Sequence, residues 1–228
     1  FGTGLLRGTW AQSVVLLLVI FTILYGCSRA LKETHIKRRL AWSTVSNLSY
    51  ILFGVALMSP LGLAGALCHM LFHSFMKIGS FFCAGAVMHE TGRSYVHELD
   101  GLGRKMPGVF VIFTICGMAL MGVPGLAGFV SKWQLAQAAV ASENPLAWVG
   151  VMALLASALL TAIYMLTISV RAFFPGKEFD YDTVPDVSDP GWMMLLPLVI
   201  FVAVIVLFGL HSQPFVEYLQ SVASSMPT

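Results

Sequence analysis

Residues 109–141 read VFVIFTICGMALMGVPGLAGFVSKWQLAQAAVA, and the division of this stretch decides the fold. At about 1.5 Å per residue it is too long for one straight crossing of a ~30 Å hydrocarbon layer, and rather short for two crossings with a turn. Its middle, Gly122-Val123-Pro124-Gly125-Leu126-Ala127-Gly128, carries a proline that removes a backbone donor and three glycines that weaken helix. We read one crossing broken near 124–128, with Pro124, Gly125 and Gly128 as the break. Five other stretches qualify as spanning helices: 11–27, 40–58, 61–87, 146–174 and 191–210. The basic residues favour this division. With a single broken crossing, Arg29, Lys32, Lys37, Arg38 and Arg39, then Arg93, Arg104 and Lys105, then Arg171 and Lys177 fall on one side, leaving Arg7 opposite. Two crossings would move Lys177 to the far side and weaken the asymmetry. The expectation is an all-α polytopic bundle of six crossings, basic loops cytoplasmic and both ends outside.

Composition agrees with a lipid solvent. Hydrophobic residues make up 57% and charged residues 11%, against roughly 25% charged in a soluble domain. No linker, charge block or short-period repeat divides residues 1–228, so a single transmembrane unit is expected. A net charge of +2 without a basic patch argues against nucleic acid. Cys27, Cys68, Cys83 and Cys116 lie in apolar runs without metal or disulfide spacing and read as small buried hydrophobes. The first apolar run lacks cleavage-site chemistry, so it is not read as a signal peptide. The chain opens at Phe1, and a fragment of something longer is expected.

Two basic residues remain inside spans, Lys77 and Lys132. A lysine at a helix centre costs about 2.5–3.5 kcal/mol on insertion scales, which makes each a functional hypothesis. Lys77 is too deep to snorkel comfortably. Lys132 follows the predicted break, where freed carbonyls and water would solvate it. His69, His73 and Lys77 stand at i, i+4 and i+8 and share a helix face. Their rise of about 6 Å per step suits one bridging water between neighbours, and imidazole passes protons through its two nitrogens. Rival readings are a zinc pair, for which no third ligand is obvious, and core histidines bonded to carbonyls. On the preceding span Ser43, Thr44, Ser46, Asn47 and Ser49 form a stripe that either glues helices or orders water. No aspartate or glutamate falls within a predicted span, so any intramembrane carboxylate must come from elsewhere.

Three motifs carry a resemblance. Ile36-Lys37-Arg38-Arg39-Leu40-Ala41-Trp42-Ser43-Thr44-Val45-Ser46, then His69-Met70-Leu71-Phe72-His73-Ser74-Phe75-Met76-Lys77, then the broken segment ending Gly128-Phe129-Val130-Ser131-Lys132 occur in order. Over about residues 30–175 the chain resembles the antiporter-like membrane subunits shared by respiratory complex I, energy-converting membrane-bound hydrogenases and Mrp-type cation/proton antiporters. The resemblance implies the second five-helix repeat of an inverted-repeat fold plus one further helix. It implies a hydrophilic axis of Lys37, His69, His73 and Lys77, with Lys132 at the outward end of the proton route, a position where some members carry glutamate. Ser131-Lys132-Trp133 is more similar to the hydrogenase and D-type Mrp subunits than to the large complex I subunit.

The implied function is translocation of protons, or exchange of sodium for protons, by a subunit that is not catalytic alone and holds no cofactor or metal. Its expected partners are the bilayer and other membrane subunits, related antiporter-like ones included. Its expected location is a prokaryotic inner membrane. Two alternatives come from other classes: an autonomous transporter of a small cation or metal using His69 and His73, and a scaffold in which the lysines are vestigial.

Overall fold

The computed structural model describes residues 6–176 and 178–225. Lys177, counted above with the basic loops, lies outside the described residues. Helices dominate the described residues, which hold one isolated antiparallel bridge, between His35 and Tyr95.

Helix α1, Trp10–Lys32, buries Leu16, Ile23, Cys27 and Ala30 while Leu17, Leu18 and Phe21 stay 52%, 60% and 62% exposed. A helix apolar on its outer face as well as its inner one suits a hydrocarbon solvent. Helix α2, Ile36–Ala56, returns antiparallel to it, and α3, Pro60–Thr91, returns again. The start of α3 is set by Ser59, whose hydroxyl accepts the Gly62 amide at 3.1 Å, and by Pro60 in the first turn. Its end is Gly92, in the left-handed region at φ 69°. The helix therefore runs past the 61–87 expected from hydropathy, because polar residues such as His89 and Glu90 extend it beyond the apolar run.

A connector follows, with a 3-10 turn at Val96–Leu99 and the short helix α4, Leu102–Lys105. The amides of Tyr95 and Ser94 both bond the Glu98 carboxylate at 2.9 Å and hold its pKa below the usual carboxylate range. Arg171 clamps Asp100 through two bonds of 2.7 Å, fixing the connector to the end of a later helix. Helix α5, Pro107–Met121, begins where the Asp189 carboxylate accepts the Gly108 and Val109 amides at 2.8 and 3.0 Å. A carboxylate from a distant loop thus complements the helix dipole.

Residues 122–126 are non-helical, and helix α6 spans Ala127–Val140. The break therefore lies slightly earlier than 124–128. Pro124 and Gly125 belong to it, but Gly128 is helical. The physical reason is packing: a Cβ on Gly128 would overlap the Ala119 carbonyl oxygen of α5, so this glycine serves close approach and not chain reversal. Helix α7, Pro145–Phe173, and α8, Trp192–Leu210, complete the long elements. Residues after Leu210 form helix α9, Gln213–Ser225, whose Phe215 packs on Phe72 of α3 at 5.7 Å between ring centres.

Helix α5 starts at the basic end, beside Asp189 and the Lys105–Asp186 ion pair of 2.9 Å. The other end of α6 lies with Arg7, Leu57, Ser59 and Pro60, which share a surface cavity with Ala138 and Ala141. Among the described helices α1, α3, α7 and α8 are long and apolar enough to cross a membrane. Helix α2 is long but more polar, because the face it turns to α3 and α7 carries Ser43, Ser46 and Asn47, each no more than 1% exposed.

Candidate ion-translocation site

The face of α3 predicted from spacing exists. His69, His73 and Lys77 are 0%, 5% and 5% exposed, and the two imidazoles stack with ring centres 5.7 Å apart and planes 19° from parallel. Lys77 Nζ donates to the Leu40 carbonyl of α2 at 3.1 Å. That carbonyl also accepts the Thr44 hydroxyl at 3.0 Å, so Thr44 is turned back on its own helix. His69 Nδ1 bonds Ser131 Oγ at 2.9 Å, which links α3 to the second half-helix.

Lys132 reaches back across the break. Its Nζ donates to the Leu120 carbonyl of α5 at 2.6 Å. Carbonyls in the last turn of a helix lack intrahelical partners, so ending α5 at Met121 frees an acceptor for a lysine that has no carboxylate beside it among the described residues. The same ammonium lies 5.2 Å from the centre of the Tyr50 ring, and Tyr50 lies 5.2 Å from His69. One row therefore runs from Lys132 through Tyr50 and His69 to His73 and Lys77, built from α2, α3 and both halves of the broken segment.

Five buried side-chain atoms among the described residues have no hydrogen-bond partner: His35 Nδ1, Asn47 Oδ1, Tyr50 Oη, His69 Nε2 and His73 Nε2. Three of them, on Tyr50, His69 and His73, belong to this row. An unpaired buried polar atom costs about 1–3 kcal/mol unless water reaches it.

The resemblance implied Lys37 on the axis; in this structure Lys37 is exposed at the start of α2. The basic side chain that turns inward is Arg39, 6% exposed, with Nε on the Glu33 carbonyl at 2.8 Å and Nη1 on the Tyr164 carbonyl at 3.0 Å. Of the polar stripe, Ser49 bonds Thr22 of α1 at 2.9 Å and fastens helices, whereas Ser43, Ser46 and Asn47 face the interior. Arg39, Tyr50, Ser131 and Tyr164 were not singled out. For Tyr50 a signal existed, since 43, 46, 47 and 50 share one helical face. Beside His69 and His73 no third histidine, cysteine or acid stands within metal-binding reach among the described residues.

Residues 3–174 match the family described as NADH:quinone oxidoreductase/Mrp antiporter, TM. The chain belongs to that family. It is 32% identical over 204 residues to NADH-quinone oxidoreductase subunit N of Desulforudis audaxviator, covering 86% of this chain and 40% of that one. It is also 32% identical to F(420)H(2) dehydrogenase subunit N of Methanosarcina mazei, covering 93% of this chain and 43% of the relative. A chain of the Mrp complex from a Dietzia species superposes with a TM-score of 0.84 at 25% identity, over 93% of this chain and 47% of that one. The chain thus spans about two fifths of the length of the curated relatives it matches. Membership of this transmembrane family, together with the apolar helices, makes it a multi-pass integral membrane protein. Two of the three motifs supply His69, His73, Lys77 and Lys132 of the row, and Tyr50 lies outside all three.

Proposed function

We propose that this family member moves protons through the row Lys132–Tyr50–His69–His73–Lys77, as the non-catalytic, ion-translocating half of a subunit in a larger membrane complex. The observation that carries this reading is the joining of buried Lys77 and half-buried Lys132 by aromatic and imidazole side chains that hold unpaired polar atoms. Each lysine rests on backbone carbonyls, partners strong enough to hold the ammonium yet uncharged, so a proton can leave without stranding a carboxylate. The imidazoles accept at one nitrogen and release at the other, and water between Nε2 atoms closes each gap. Transfer along the row makes and breaks only N–H and O–H bonds.

In the same reading the α5–α6 pair is one interrupted crossing. A non-helical stretch is tolerated at membrane depth where protein covers it, and α8 does so here: a Cβ on Gly209 would overlap Gly125 of the break. The basic end faces the cytoplasm of a prokaryotic cell by the lysine and arginine bias. The partners are other membrane subunits of the complex, which supply the redox or ion gradient that drives the row. The test is proton uptake by vesicles carrying that complex, with His69→Gln and His73→Gln combined. Uptake should fall about tenfold with assembly preserved, and an unchanged rate would remove the relay.

A further inference from the structure

On the face of α2 that also carries Arg39, a second polar arrangement meets the row. Helix α7 presents Ser157, Thr161 and Tyr164, at most 1% exposed, to the buried face of α2. Tyr164 Oη donates to Ser43 Oγ at 2.6 Å and lies 3.1 Å from Thr161 Oγ1. Thr161 Oγ1 in turn reaches the Ser157 carbonyl at 2.7 Å. One helical turn further along, Ser46 Oγ lies 3.1 Å from Ser157 Oγ and 2.8 Å from the Ile23 carbonyl. Several of these hydroxyl protons therefore have two acceptors within reach, which is the condition for a hydroxyl to turn and pass a proton on. One turn of α2 beyond Ser43 stands Asn47, with Nδ2 on the Ser43 carbonyl at 2.8 Å and Oδ1 buried without a partner.

We infer that this seam between α2 and α7 is a second proton-conducting branch, joining the Arg39 end of the bundle to the His69–His73 row by way of Tyr164, Ser43, Asn47 and Tyr50. The inference rests on the row being a proton path. Arg39 to Tyr50 is about 16 Å along the helix axis, at 1.5 Å per residue. At its outer end Tyr164 is tied to the guanidinium of Arg39 through its carbonyl. At its inner end the Tyr50 ring lies 5.2 Å from His69. Water held by Asn47 Oδ1 and Tyr50 Oη completes the run between Ser43 and the imidazole. A proton reaching Ser43 forms a new O–H bond as the old one breaks and its proton moves to the next oxygen. Rotation of the hydroxyls restores the starting order and leaves no side chain charged.

Interhelical hydroxyls also fasten membrane helices, and such fastening explains Ser49 with Thr22, where each hydroxyl is bonded. It does not explain unpartnered oxygens on Asn47 and Tyr50, which a fastening would pair. The experiment is proton uptake by vesicles containing the complex that houses this chain, driven by the complex's own reaction, with Lys132→Ala measured alongside. Tyr164→Phe and Ser43→Ala are each expected to slow uptake roughly threefold or more, and the double variant no further, because rungs in series fail together. Additive losses accompanied by a lower melting temperature mark fastening and overturn the branch. So does wild-type uptake by Tyr164→Phe when Lys132→Ala fails, an outcome that leaves the lysine row standing. Wild-type uptake by both variants removes the row and the branch together. If Tyr164→Phe prevents assembly, Ser43→Ala deletes a rung without touching the aromatic packing, and the same slowing is expected of it alone.

Discussion

Lys132 shows how one side chain is made tolerable and useful at once. Its ammonium is held by a carbonyl that exists as a free acceptor because α5 stops at Met121, and by the face of Tyr50. Neither partner is anionic, so the charge is solvated without being locked in place. Lys132→Ala is expected to reduce coupled proton uptake at least tenfold, and Lys132→Glu to retain part of it because a carboxylate also titrates. Uptake at the wild-type rate in Lys132→Ala vesicles would make this residue structural. Arg39 and Lys37 show what residue type alone leaves open. Both lie in the same basic run, but 39 shares a helix face with Ser43, Ser46 and Tyr50, and it is Arg39 that is buried while Lys37 is exposed.

At the scale of elements, the broken segment works because three helices approach it closely. Gly128 lets α6 lie against the carbonyl end of α5, and Gly209 lets α8 lie over the break. Gly128→Val would put branched carbon where the Ala119 carbonyl stands, parting the half-helices and pulling Lys132 from Leu120. The expected loss is about 1–3 kcal/mol, in the range of overpacked cores, read as a lower melting temperature of the complex together with slowed uptake. An unchanged melting temperature would mean that the half-helices do not pack as closely as this. The break itself was legible in sequence from Pro124 and Gly125. That Gly128 belongs to the second helix was not, since glycine marks both a turn and a tight contact, and only the neighbour decides which.

For the whole molecule, the proposed single crossing by α5 and α6, from the Asp189 end to the Arg7 end, predicts sidedness. Single cysteines replacing Lys105 and Glu143 should be labelled from opposite sides of sealed vesicles. Labelling from the same side would establish two complete crossings. The connector and the loop after α7 close the basic end through Arg171 with Asp100, Lys105 with Asp186 and Asp189 with the start of α5. At that end the acidic residues serve the fold, which agrees with their absence from the buried row.

The sequence by itself determined that the chain is a helical membrane protein, that proline and glycine interrupt helix near residue 124, and that two histidines and a lysine share one face of a long apolar helix. Those properties follow from hydropathy, from proline and glycine chemistry and from the helical period, all of which act over a few residues. The tertiary structure decided that Lys132 joins the histidines through Tyr50 and Ser131, that Arg39 and not Lys37 turns inward, and that Tyr164 meets Ser43 across 121 positions of sequence. These depend on which faces of α2, α3, α6 and α7 are pressed together. That pairing is set by the shapes of several helices at once, so no local pattern in the chain records it.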